Sequence, residues 1–359
     1  MALLSLGELK EKIEQFPRKK IVNLPTPLQK LERLSRFFGG PEIYMKRDDL
    51  TGLAFGGNKS RKLEYIIHDV LDKKADVIIT WASIQSNWCL QTAAAARRFG
   101  IKPVLILFKT YELPDECDGN LLLDFILDAE IRIKEAEKGK VVSEEYAAEI
   151  VEGVAREMNN KGHTPYVAPI GGSMVGGSMD IPLGALSYVR AFAEMLEQTE
   201  ELGVDVSHVI HATGSGGTQA GLVVGASLLT EKVKVVGISV SDEREIFSSV
   251  VRTIAQEALK AMKLDLSFQE DDIIVLDEYI KEGYGIVTHE VSEIVRLVAM
   301  KEGIFLDPVY TGKAMVALAD LIKKGYFKKE DKVVFFHTGG TPALFPNKHN
   351  FEKYLKITP

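Results

Sequence analysis

The chain has 359 residues, 44 Lys plus Arg against 51 Asp plus Glu, two cysteines and 46% hydrophobic residues. That apolar content supplies a full-sized core and excludes wholesale disorder, and the length points to about two domains, or to one α/β unit with an inserted lobe. A formal charge of −7 argues against a nucleic-acid partner, and Cys89 and Cys117 can form neither a disulfide framework nor a zinc quartet.

Along the chain, short apolar runs alternate with longer stretches of helical period, the pattern of βα units. Glu11 and Glu14 interrupt the apolar residues of the N-terminal segment, which therefore does not read as a signal peptide. No apolar run reaches the ~18 residues of a membrane span, so a cytoplasmic protein is expected. The expected strands are Ile43–Lys46, Val77–Thr80, Val104–Leu107, Tyr166–Pro169, His208–Ala212, Val233–Ser239 and Lys332–His337. One expected helix opens near Lys59, where Leu63, Ile66, Ile67, Val70 and Leu71 make one apolar stripe. Others are Gln91–Phe99, Ser143–Lys161, Leu183–Glu200, Thr218–Leu229, Thr288–Glu302 and Lys313–Lys324. Strands separated by helices require right-handed crossovers and a mostly parallel sheet, an α/β fold.

In such sheets, ligands bind outside the carboxyl ends of the strands. Four segments occupy that place. Thr213-Gly214-Ser215-Gly216-Gly217-Thr218 follows a strand and opens a helix, so its amides and the helix dipole suit a phosphate. It is not a P-loop, since no Gly-Lys-Ser/Thr follows. Gly56-Gly57-Asn58-Lys59-Ser60-Arg61-Lys62 sets three cations at a helix start, where the dipole disfavours them. Lys59 behind two glycines can be an aldehyde-binding amine and Lys62 a phosphate ligand; a solvated helix start accounts for the cations equally well. Ser83-Ile84-Gln85-Ser86-Asn87-Trp88 offers donors for a carboxylate, or Ser86 is simply a helix cap. Asp307-Pro308-Val309-Tyr310-Thr311-Gly312-Lys313 and His337-Thr338-Gly339-Gly340-Thr341-Pro342 form the fourth region, with Tyr284 in a similar Gly283-Tyr284-Gly285 setting. An amine, a phosphate cup and a carboxylate loop are together what pyridoxal phosphate and an amino acid need.

Those motifs, with Pro25-Thr26-Pro27-Leu28 and Lys46-Arg47-Asp48-Asp49, span about residues 17 to 346. In them the chain resembles the D-cysteine desulfhydrase and 1-aminocyclopropane-1-carboxylate deaminase family of the tryptophan-synthase-β-like, fold-type-II pyridoxal-phosphate enzymes. The resemblance implies two α/β lobes, residues 1–62 with 179–359 forming the large cofactor-binding lobe and 63–178 a small inserted one. It implies that Lys59 binds the cofactor aldehyde covalently and that Asn87 bonds the ring 3′-oxygen. Lys62, Gly214, Ser215, Gly216, Gly217 and Thr218 would hold the phosphate. Ser86 would bind the substrate carboxylate or act as an acid/base group, and Tyr284 and Tyr310 would face the substrate. A homodimer is expected on the same ground, and no metal.

Thr311 and Thr338 stand where ring-opening deaminases resemble one another in having Glu and Leu, a desulfhydrase-like pattern. A carboxylate beside the ring nitrogen favours the protonated ring that difficult carbanion steps need; threonine supplies no such charge. The expected reaction is therefore β-elimination from D-cysteine to pyruvate, sulfide and ammonia, with Lys59 taking the α-proton. The alternatives are L-cysteate sulfo-lyase, then 1-aminocyclopropane-1-carboxylate deaminase, and from another class a non-catalytic cofactor- or amino-acid-binding protein. Trp88 stands where relatives carry a smaller or more polar residue, so as a substrate neighbour it would reduce the site's volume. The segment 171–186 is extended and would reshape the entrance.

Overall fold

A computed structural model describes residues 3–110, 117–137, 140 and 142–354. Its strands are β1 (Leu28–Lys30), β2 (Glu42–Lys46), β3 (Val77–Ser83), β4 (Lys102–Lys109), β5 (Glu130–Glu135), β6 (Pro165–Val167), β7 (His208–Thr213), β8 (Lys234–Ser239), β9 (Ile274–Leu276) and β10 (Lys332–Phe336). Six form one sheet in the order β1-β2-β10-β7-β8-β9, and four form a second in the order β5-β4-β3-β6. Every pairing is parallel except β1 with β2.

The helices are α1 (Leu6–Glu14), α2 (Glu32–Phe38), α3 (Asn58–Asp72), α4 (Asn87–Arg98), α5 (Gly119–Ile126), α6 (Glu144–Asn160), α7 (Leu183–Glu201), α8 (Gly217–Leu229), α9 (Arg244–Ala261), α10 (His289–Glu302) and α11 (Thr311–Lys323). No helix among the described residues is long and apolar enough to cross a membrane.

All seven expected strands are present. β1, β5 and β9 were not expected: two are only three residues long, and β5 reads Glu-Ile-Arg-Ile-Lys-Glu. Charges that blunt an exposed sheet edge also hide the strand's pattern. By contrast β3 is buried along its whole length and reads as a continuous apolar run, as a strand covered on both faces must. Helix α4 begins four residues earlier than periodicity places it, at Asn87, because Ser86 caps it by accepting from the amides of Trp88 and Cys89 at 3.1 and 3.2 Å. The expected lobe boundary at 62/63 falls inside α3, one continuous helix.

Two glycines bring the ends of the chain together. Gly57 has φ 133°, and a Cβ there would lie 2.9 Å from the Thr338 carbonyl; Gly57 and Gly339 form an antiparallel bridge. A side chain at 57 would therefore push the segment after β10 away from the start of α3. Close packing of α8 on α7 has the same origin, since a Cβ at Gly221 would sit 2.2 Å from the Ala185 carbonyl.

Candidate active site

The cavity lies at the carboxyl ends of β3, β7 and β10, walled by the loops that lead into α4, by the loop into α8 and by residues 338–339. Lys59, the second residue of α3, is part of the wall. Among the described residues no hydrogen bond or ion pair engages its amine. Burial removes water from that amine and brings its pKa down to about 8. A lysine in this state is a ready nucleophile near neutral pH.

The segment after β7 forms an anion cradle. Gly216 (φ 77°) turns the chain into α8. The Gly217 and Ala220 amides donate to Ser215 and Gly216 carbonyls at 3.0 and 2.9 Å. The Thr218 and Gln219 amides have no backbone acceptor among the described residues, as expected in a first helical turn. Gly214, Ser215, Gly216 and Thr218 line the cavity, and the buried Thr213 hydroxyl beside them has no partner among the described residues. Open amides, an orphaned hydroxyl and a positive helix end fit a phosphate. Asn58, next to Lys59, donates to Thr218 Oγ1 at 3.0 Å and ties the amine to the cradle.

Lys62 does not reach the wall. Its buried amine donates to the Gly171 carbonyl at 2.9 Å and to Ser173 Oγ at 3.1 Å. Ser173 Oγ in turn pairs with Ser215 Oγ at 2.9 Å, so Lys62 supports the cradle from behind. Burial and the neighbouring Lys59 push its pKa well down. Gly217 lies behind the cradle as well, where a Cβ would approach Ser173 Oγ to 2.6 Å. The extended segment is not free at the entrance: Ser178 exchanges bonds with Val167 of β6, and Lys73 Nζ reaches Asp180 at 2.7 Å.

Opposite the cradle, Ser86 and Asn87 line the cavity at the start of α4. Ser86 is both cap and wall: its oxygen accepts two amides while its proton is left to donate. Asn87 Oδ1 accepts from Asn120 Nδ2 at 2.8 Å, which leaves the Asn87 amide nitrogen as a donor. Trp88 is buried; its indole N–H donates to Thr80 Oγ1 at 2.7 Å and its ring edge packs beside Gly172, so it belongs to the floor of the cavity. Cys89 is buried beneath Ser86 and is not part of the wall.

Tyr284 and Tyr310 complete the wall. The buried Tyr284 hydroxyl bonds Ser83 Oγ at 3.0 Å and the Tyr310 hydroxyl at 2.5 Å. Burial raises the Tyr284 pKa against these two bonds. Tyr310 is set by Asp307, whose Oδ2 accepts the Val309 and Tyr310 amides at 2.9 and 2.8 Å. Thr311 is committed to the same residue, its hydroxyl donating to Asp307 Oδ1 at 2.6 Å and accepting the Asp307 amide at 2.8 Å. It is buried and does not line the cavity, whereas Thr338 does.

Asn58, Ser173 and Asn120 do not stand out in the sequence as individual side chains. Each acts through a partner more than 30 residues away, a relation that local spacing does not express. Arg61, one of the three cations at the helix start, faces away: it is bound to Asp48 and Glu194.

A family model for "Pyridoxal-phosphate dependent enzyme" matches residues 21–339. A Pyrococcus furiosus protein named "Putative 1-aminocyclopropane-1-carboxylate deaminase" is 41% identical over 348 residues, 96% of this chain and 97% of the relative. A D-cysteine desulfhydrase of Klebsiella pneumoniae (strain 342) is 40% identical over 338 residues, 93% and 97% of the two chains. A crystal structure of an ACC deaminase homologue superposes with a TM-score of 0.85 at 38% identity, over 97% of this chain and 99% of that one. Escherichia coli diaminopropionate ammonia lyase shares the fold, at a TM-score of 0.64 and 18% identity over 98% and 90%. The chain therefore belongs to the pyridoxal-phosphate-dependent enzymes, as a fold-type-II lyase of the group that holds the 1-aminocyclopropane-1-carboxylate deaminases and the D-cysteine desulfhydrases.

Proposed function

We propose that the enzyme catalyses β-elimination from D-cysteine, consuming one water and releasing pyruvate, sulfide and ammonia. The observation that carries this reading is the charge of the cavity wall. Among the described lining residues Lys59 is the one lysine, and there is no arginine, aspartate or glutamate. Without a wall carboxylate, nothing favours the protonated ring that cyclopropane opening demands. Without a second cation, nothing compensates a buried sulfonate, which disfavours L-cysteate. A neutral thiol side chain fits.

When bound, pyridoxal phosphate supplies the electron sink for charge developing at Cα. In this reading Lys59 anchors it, the 214–218 cradle holds its phosphate with Lys62 bracing from behind, and the Asn87 amide meets its ring oxygen. The Ser86 hydroxyl and the backbone N–H of Asn87, the first of α4, bind the substrate carboxylate. Lys59, once displaced, accepts the α-proton, and the Tyr284–Tyr310 pair faces the departing sulfur with a proton to give. We further read the four-stranded sheet, built wholly from residues 77–167, as the core of a small lobe inserted in the larger one.

The test is a comparison of D-cysteine, L-cysteate, D-serine and 1-aminocyclopropane-1-carboxylate with the holoenzyme, measuring the 2-oxo acid formed. The highest kcat/KM is expected with D-cysteine. A higher value for the cyclopropane or the sulfonate would overturn the assignment, and no product from any would favour a binding protein.

A further inference from the structure

Behind the start of α4, Asn120, which orients Asn87, belongs to a buried polar pair whose other member has no part in the roles above. Asn120 and Asp124 stand one turn apart on α5, and both are fully buried. Positions i and i+4 of a helix are neighbours on one face. Asn120 is oriented on its donor side: its amide nitrogen donates to the Gln85 carbonyl and to Asn87 Oδ1, both at 2.8 Å. Among the described residues its Oδ1 accepts nothing, and neither Asp124 oxygen has a hydrogen-bond partner. Three buried acceptors on one face therefore lack a donor, and each destabilises the fold while it stays unpaired. One proton satisfies two of the three, Asn120 Oδ1 and the Asp124 oxygen that carries it, because a neutral carboxyl donates where a carboxylate cannot.

We propose that Asp124 is a positioning residue: it keeps its proton, donates it to Asn120 Oδ1, and thereby fixes the amide with which Asn120 orients Asn87 in the cavity. The chain of bonds runs from α5 to the cofactor's ring oxygen and rests on the reading that Asn87 meets that oxygen. The surroundings favour the neutral acid. Helix α4 and the turn Thr341–Leu344 pack on α5. From α4, Cys89 faces Asp124 without bonding it, and Arg97 is spent on the carbonyls of Leu127 and Asp128. Cys117 precedes the helix, and Asp118 is engaged by the Gly119 amide with Lys348 4.0 Å away. No cation pairs with Asp124 among the described residues, and burial lifts its carboxyl to about 8.

The holoenzyme decides the matter. Difference infrared spectra of wild type against Asp124→Asn at neutral pH should show the carbonyl stretch of a protonated carboxyl; a carboxylate band in its place overturns the proposal. In Asp124→Leu the pyridoxal phosphate dissociation constant should rise about tenfold, as for one lost buried hydrogen bond. Its visible band should move as it does in Asn87→Ala, while Asp124→Asn, whose amide still donates, keeps wild-type values. A wild-type band and affinity in Asp124→Leu beside an altered Asn87→Ala refutes the positioning role. If Asn87→Ala changes neither, the placement of Asn87 at the cofactor fails, and the proposal with it. Should Asp124→Leu not fold, the pH titration of the visible band decides instead. A transition near pH 8 that Asp124→Asn lacks is expected, and identical titrations refute it.

Discussion

Arg61 grips Asp48 with two hydrogen bonds, Nε to Oδ2 at 2.9 Å and Nη2 to Oδ1 at 2.8 Å, and both side chains are buried. The same guanidinium reaches Glu194 and Thr26 Oγ1, Tyr188 donates to Asp48 Oδ2 at 2.6 Å, and Lys46 Nζ meets Glu194 at 2.6 Å. Against the cost of burial, Arg61 and Lys46 pull Glu194 down to about 2. Two cations and two carboxylates thus lock the first turns of α3, and with them Lys59, to β2 and α7.

Removing one member leaves an uncompensated charge in the interior. Arg61→Leu is expected to cost about 3–5 kcal/mol of unfolding free energy by denaturant titration. A loss below about 1 kcal/mol, the range of an exposed pair, would show that the network is not a structural lock.

Lys59→Ala is expected to abolish the visible band and the activity of the reconstituted enzyme. For the wild-type apoprotein the pH dependence has a definite sign. Below about 8 the amine is protonated and cannot attack the cofactor aldehyde; above it the amine is neutral. The rate of pyridoxal phosphate capture should therefore rise with pH and level off just past 8. A rate still climbing toward the ordinary lysine value of 10.5 would mean that burial does not tune this residue.

Gly217→Ala places a methyl 2.6 Å from Ser173 Oγ and 2.9 Å from Ser173 Cα. Backbone cannot yield as a flexible side-chain tip can, so the cradle must separate from its support. Overpacking of this kind costs about 1–3 kcal/mol, which weakens cofactor binding roughly 5- to 150-fold. Gly7→Ala in α1, where the nearest atom is 4.0 Å away, should leave the titration unchanged.

Tyr284→Phe removes the hydroxyl shared by Ser83 and Tyr310. If it relays a proton to the leaving group, kcat should fall by about 10²- to 10⁴-fold with KM nearly constant. Equal kcat in the two enzymes would confine Tyr284 to a packing role.

Much of the site was legible because its elements are punctuated locally. Glycine and serine cluster where strands hand over to helices, which is where parallel sheets bind ligands. Lys59, the 213–218 loop, Ser86 with Asn87, and Tyr284 with Tyr310 therefore stood out and converge on one cavity. The fold class followed likewise from periodicity. The charged edge strand β5 did not, because its residues serve solvent and edge protection rather than a core.

Composition and spacing by themselves determined an α/β chain with an amine, a phosphate loop and a carboxylate loop. Which donors are already spent was decided by tertiary structure alone. Arg61 and Lys62 look equivalent to Lys59 in the sequence. Yet carboxylates brought in from residues 48 and 194 consume Arg61, and Gly171 and Ser173 consume Lys62. Lys59 alone of the three keeps its amine toward the cavity. Hydrogen-bond satisfaction is set here by neighbours that, Asp48 apart, lie more than a hundred residues distant, and burial sets the proton affinity of whatever is left over.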